Sequence, residues 1–158
     1  MTTDTSTSVR ATTTVDLPIA EAFALFTEGI GTWWNADHHL IEAPLSHMVF
    51  EPFVGGHVYD VGTDGSECRW SRVLAYDPPR RVVFSWDINA HWQIESDPAL
   101  CSEVHVTFAE EASGRTTVVL EHRHLDRHGE DLLPQLDGIR AGWQEGGLDL
   151  FAAAAADR

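Results

Sequence analysis

The chain has 158 residues, 43% of them hydrophobic, with six Trp and seven Phe, which is enough to bury a substantial core without disulfide or metal staples. Twenty-five acidic side chains against ten basic ones give a formal net charge of -15, which opposes association with phosphate backbones or anionic lipid and excludes nucleic acid and membrane partners. No apolar run approaches the ~20 residues that span a bilayer, and the polar start MTTDTSTSVR lacks the parts of a secretory signal, so a cytoplasmic location is expected.

Residues 1–8 are rich in Thr and Ser and read as a flexible N-terminus, followed by a single domain over residues 9–158. Residues 9–17 carry a Thr run of high β-propensity and read as the first strand, closed by Pro18. Pro18 also suits the first turn of a helix, and Ile19, Ala22, Phe23 and Phe26 follow at helical spacing, with an end near Gly29. Residues 31–40, with Trp33 and Trp34, suggest a second short helical turn at the edge of the core.

From His47 onward the pattern is antiparallel β, with strands at residues 48–51, 57–61, 68–76 and 82–87. Turns fall at Val54-Gly55-Gly56, Thr63-Asp64-Gly65 and Asp77-Pro78-Pro79-Arg80, the last because two successive prolines cannot continue a ladder. Residues 88–100 have no clear period and read as a loop.

Alternation then fixes the last hairpin. Val104, Val106 and Phe108 alternate with Glu103, His105 and Thr107, and Val118, Leu120 and His122 with Thr117, Val119 and Glu121. A turn at residues 112–114 sets Phe108 opposite Val118, Val106 opposite Leu120 and Val104 opposite His122, with Glu103 against Arg123 and His105 against Glu121 on the other face. Residues 125–136 form a polar connection. Residues 138–156 then read as one long helix, with Ile139, Trp143, Gly146, Gly147, Leu150 and Ala154 on its apolar stripe.

The paired glycines on the buried side of that helix each cost about 1 kcal/mol relative to Ala. Either a strand crosses tightly there, or the missing side chains leave a cavity beside Trp143. The GxGxxG, P-loop, GxSxG and HExxH patterns are absent, so neither a catalytic constellation nor a cofactor is assigned. Cys68 and Cys101 lack CxxC or metal-ligand spacing and read as reduced thiols. His122 and His124 would share a strand face at i, i+2, but no third ligand is evident with His105 on the opposite face, and no metal site is assigned. His122 itself continues the inward series at the point where its strand leaves the core. It reads either as a satisfied core histidine or as an imidazole that lines a cavity.

The order of a strand, two short helices, six antiparallel strands and a long C-terminal helix resembles the helix-grip α+β fold of the START/Bet v 1-like (SRPBCC) superfamily. Within it, EPFVGGHVYDVGTDGSE at residues 51–67, WSRVLAYDPPRRVVFSW at residues 70–86 and Gly142-Trp143 resemble the homologues of the activator of the heat-shock chaperone ATPase. The resemblance spans residues 9–155 and implies a curved sheet wrapped around the C-terminal helix. It also implies a small apolar or amphipathic ligand held in a cavity between sheet and helix. We assign the lining to Trp33, Tyr59, Trp70, Trp86, His122, Trp143, Gly146 and Gly147. A cyclase- or hydrolase-like activity in the same cavity and regulation of a chaperone ATPase through the outer surface are the alternatives. A homodimer is left open.

Overall fold

Strand β1 (Val9–Val15) buries alternate residues, Val9, Ala11 and Val15, as a strand with one face on the core must. Pro18 then caps α1 (Ile19–Phe26), which turns Ala22, Phe23, Leu25 and Phe26 inward. The ring of Phe26 lies 5.0 Å from that of Trp33, 5.8 Å from Phe108 and 5.6 Å from Phe151, so one residue joins both helical segments to the sheet. The computed structural model describes residues 7–34 and 40–157. Residues 1–6 of the expected flexible N-terminus and residues 35–39 of the expected turn at 31–40 lie outside the described residues. A 3-10 turn at Ile30–Thr32 stands at the start of that stretch.

The remaining strands are β2 (Leu45–Phe50), β3 (His57–Gly62), β4 (Glu67–Asp77), β5 (Arg81–Trp86), β6 (Ser102–Ala112) and β7 (Arg115–Arg123). They form one antiparallel seven-stranded sheet in the order β1-β7-β6-β5-β4-β3-β2. Bulges between Leu45 and His47, Val58 and Tyr59, and Val73 and Ala75 bend its far half, which curls the sheet around the helix. The hairpin of β6 and β7 has the expected register, with Val104 opposite His122, Val106 opposite Leu120 and Phe108 opposite Val118. All six of these side chains are buried, whereas their alternating neighbours are half-buried or exposed. The cross-strand charges divide differently from the simple pairing. Arg123 bonds Glu121 on its own strand, and Glu103 bonds His105 and Arg127.

The C-terminal helix is continuous but not uniform. It runs as α2 (Leu136–Trp143), a single π-turn at Gln144–Leu148, and α3 (Asp149–Ala156). A π-turn accommodates one extra residue, so everything after it is rotated by about 100° relative to an unbroken α-helix. The expected stripe is therefore corrected in its second half. Leu148, Phe151 and Ala155 face the core, while Leu150 is 37% exposed. The glycine pair sits in this turn, where the widened backbone suits residues without a side chain. Gln144 adds a tie to the edge strand: its Oε1 accepts from Thr12 N at 3.2 Å and its Nε2 donates to Thr12 O at 3.1 Å. The open edge of β1 thus finds partners on the helix.

Candidate functional site

A cavity of about 470 Å³ lies between α2, the ends of β5 and β7, and two irregular segments, residues 88–94 and 125–135. Its size follows from the helix sequence. Gly138, Gly142 and Gly146 recur at four-residue intervals and all line the cavity, so one helix face lacks side chains for two turns. A Cβ added at Gly138 or Gly142 would meet nothing within 4 Å. Of the two explanations for the glycine pair, no tight strand crossing is seen at Gly147. There a Cβ would lie 3.3 Å from Trp143 Cε3 and 3.6 Å from Gly142 O, both in the same helix. Gly147 makes room for the indole, and the Gly138/Gly142/Gly146 face makes room for the cavity. Replacing Gly147 by Leu should accordingly push the Trp143 ring and cost on the order of 1–3 kcal/mol. A thermal melt that matched the parent would contradict this.

Three indoles form the aromatic wall. Trp34 lies 5.7 Å from Trp143 and Trp86 lies 5.5 Å from Trp143, ring centre to ring centre, each in an inclined or edge-on arrangement. Trp92 stands at the entrance with a left-handed backbone (φ 59°) and is 59% exposed.

His122, at the end of β7, closes the wall between these indoles and the sheet. The indole N–H of Trp143 donates to His122 Nδ1 at 3.0 Å, and His122 Nε2 lies 2.7 Å from Ser102 Oγ. Indole is a donor only, so Nδ1 accepts and the imidazole proton sits on Nε2, donated to Ser102. Ser102 O–H is then free to donate to His128 Nε2, also at 2.7 Å. This chain of four residues links α2, β7, β6 and the 3-10 turn at Leu125–His128. Burial, with a smaller contribution from the neighbouring His128, drives the His122 pKa down to about 3. Burial also lowers His128, against the pull of Glu95 and Asp87, and its Nδ1 is buried without a hydrogen-bond partner among the described residues. His122 is thus a satisfied histidine and a lining one at once.

Trp86, His122, Trp143, Gly146 and Gly147 are brought together at this cavity. Three other expected lining residues lie elsewhere. Trp33 is buried in the main core with its N–H donated to Leu25 O at 3.0 Å, because adjacent residues cannot face the same way and its neighbour Trp34 takes the cavity side. Tyr59 alternates with buried Val58 and Asp60 along β3, and the Arg69 guanidinium stacks 4.2 Å over its ring. Trp70 stands behind Trp34 and Trp86, with ring centres 5.2 Å and 5.5 Å away, and donates to Asp60 Oδ1 at 3.2 Å. Sequence reasoning missed Trp34, the loop residues Ile88 and Asn89, and Gln135 of the connecting turns. The four-residue glycine spacing was the available signal for Gly138 and Gly142.

The loop at residues 88–100 is held by specific bonds. Asn89 Oδ1 accepts from His91 N at 2.8 Å and Gln93 N at 3.1 Å, Ile88 and Ile94 pair as an isolated bridge, and Asp97 caps a 3-10 turn at Pro98–Leu100. Its first residue neighbour, Asp87, is fixed by a two-pronged ion pair with Arg72, both contacts at 3.0 Å. Cys101 beside this pair is no nucleophile: burial, followed by its contact with Asp87, pushes the thiol up to about 12. His124 has a left-handed backbone (φ 63°) that ends strand alternation, which removes it from the face of His122. Among the described residues no group of three or more His, Cys, Asp or Glu is arranged to hold a metal ion, and no helix is long and apolar enough to cross a membrane.

Residues 16–155 match the family model described as activator of Hsp90 ATPase homolog 1-like protein. A search of curated protein sequences finds no match. Among solved structures, the anthrahydroquino-γ-pyrone synthase Txn09, determined as a complex, is 34% identical, with 94% of this chain and 86% of that chain covered and a TM-score of 0.58. Protein MLL2253 from Mesorhizobium loti is 22% identical with a TM-score of 0.64, covering 96% of this chain and 98% of that one. CalU16 from Micromonospora echinospora is 21% identical with a TM-score of 0.58, covering 93% and 73%. The last two likenesses are likenesses of fold.

Proposed function

Since the chain belongs to the family of activator of Hsp90 ATPase homolog 1-like proteins, we propose that it acts by binding a small molecule with flat, apolar surface in the cavity under its C-terminal helix. The observation that carries this reading is the pairing of a glycine-faced helix with a wall of indoles around about 470 Å³ of space. A helix that only closed the core would gain stability from side chains at Gly138 and Gly142, where a Cβ has free room. Keeping that face bare has a cost in helix stability that an occupied cavity explains.

Native mass spectrometry of the protein as purified is the direct test. A co-purifying mass, lost on denaturation, supports the reading. Protein that carries none, and whose indole fluorescence no apolar aromatic probe alters, would count against it.

A second reading, ring-forming catalysis on the bound molecule, is favoured by the 34% identity to a pyrone synthase. Both nitrogens of His122 are engaged, so such catalysis would rest on holding a substrate in a reactive shape rather than on a free base at that residue. Incubating a released ligand or its precursors with the protein and following conversion distinguishes catalysis from binding. Regulation of a chaperone ATPase, through the outer surface, rests on the family name alone and would be unaffected by blocking the cavity.

A further inference from the structure

Every side chain that lines the cavity among the described residues is uncharged. His122 has given one nitrogen to Trp143 and the other to Ser102, so it offers a ligand only ring surface and C–H edges. Asn89 has given its Oδ1 to two backbone N–H groups of its own turn, which leaves its amide NH₂ as a pair of donors. Gln135 is the reverse case. Its Nε2 donates to Asp131 O at 3.1 Å and to Ala90 O at 3.4 Å, which leaves its Oε1 as an acceptor.

These two amides are half-buried and belong to the two segments that flank the entrance, and the Gln135–Ala90 bond ties those segments together. The depth of the cavity is aromatic and aliphatic. Among the described residues the rim amides offer one donor group, Asn89 NH₂, and one acceptor, Gln135 Oε1, both oriented by the protein, with the indole N–H of Trp92 as a further donor at the entrance. Among the described lining residues there is no cation to compensate a buried anion, and an ionised carboxylate or phosphate taken from water into such surroundings is strongly disfavoured. The net charge of -15 adds repulsion at longer range.

We propose that the cavity takes an uncharged fused-ring aromatic molecule with its apolar rings among the indoles and its oxygen-bearing edge at the rim, where Asn89 donates to a carbonyl and Gln135 accepts from a hydroxyl. The proposal rests on the ligand-binding reading above and adds the charge state, the orientation and the two recognising residues.

Equilibrium dialysis with a matched probe set tests it: 2-hydroxyanthraquinone, whose hydroxyl is too far from the ring carbonyls to bond them, anthracene, anthraquinone-2-carboxylate and the methyl ester of that acid, all at pH 6, where the phenol is neutral and the carboxylate ionised. The hydroxyanthraquinone should bind at least tenfold tighter than the carboxylate, and the ester should recover most of the difference, since it restores neutrality without changing the ring system. The variant Asn89→Asp keeps the oxygen that holds the turn but removes the NH₂ donors. It should weaken the hydroxyanthraquinone about tenfold and leave anthracene unchanged. A carboxylate that binds as well as its ester overturns the charge selection, and an Asn89→Asp variant that retains the preference for hydroxyanthraquinone over anthracene overturns the orientation. If none of the four probes binds, anthracene included, the ligand-binding reading fails and this inference with it.

Discussion

Lowering the pH from 7 to 4 is expected to remove about 3 kcal/mol of stability through His122 alone, given a folded-state pKa of about 3 against 6.5 for the free side chain. The direction follows from which state binds the proton. Between pH 6.5 and about 3 the unfolded chain holds a proton on this residue and the folded chain does not, so each unit of acidification favours unfolding. Stability is complete above pH 6.5 and falls as the pH drops through the window. The structural reason is equally specific. A doubly protonated imidazole must donate from both nitrogens, yet Nδ1 faces the indole N–H of Trp143, which cannot accept.

Acid would therefore break the bond that joins the C-terminal helix to β7. The variant His122→Gln can keep an acceptor toward Trp143 and a donor toward Ser102 without titrating in this range. Denaturant unfolding at pH 7, 5.5 and 4 should give a stability curve that is flatter for this variant by about 3 kcal/mol over the interval. His128 and His105, both lowered chiefly by burial, contribute the same sign in both proteins and cancel in the comparison. Parallel curves would refute the assignment of the acid sensitivity to His122.

Gly142→Leu is expected to abolish ligand binding, by more than 100-fold, while leaving the fold intact or stabilised. A Cβ at this position meets nothing within 4 Å, so the new side chain enters the cavity rather than a packed core. Replacing Gly by Leu inside a helix also recovers up to about 1 kcal/mol of helix propensity. The contrast with Gly147→Leu separates the two glycine roles. At Gly147 the same side chain meets the Trp143 ring and should lower the melting temperature, whereas at Gly142 the melt should be unchanged or raised and only binding should disappear. Binding retained in a folded Gly142→Leu protein, measured by dialysis of a probe that binds the parent, would show that the ligand sits elsewhere.

Local rules carried the sequence reading furthest where the chain's own periodicity is strict. Alternation over Val104–Phe108 and Val118–His122, with a turn between them, is enough to fix register, because a slip by one residue would turn a strand's whole inward set to solvent. Pro18 and the Ile19–Phe26 spacing place the first helix by the same kind of local rule. The phase of the C-terminal helix was not legible beyond Trp143. Periodicity assumes a constant rise, and the π-turn at Gln144–Leu148 exchanges Leu150 for Leu148 and Phe151 on the inner face.

The choice between Trp33 and Trp34 was likewise decided by tertiary packing. Both indoles suit an apolar surface, and only the position of Leu25 O, which accepts the Trp33 N–H, draws one of them into the main core. The partners of His122 come from residues 20 and 21 positions away, and the acceptor role of Gln135 depends on Ala90, 45 positions away. By itself the sequence determined the order of the elements along the chain and the register of the last hairpin, and it singled out the glycine pair of the C-terminal helix without deciding between a cavity and a close strand. Which side chains surround that space, and which of their polar atoms remain free within it, was decided by contacts distant in the chain, for which no local pattern exists.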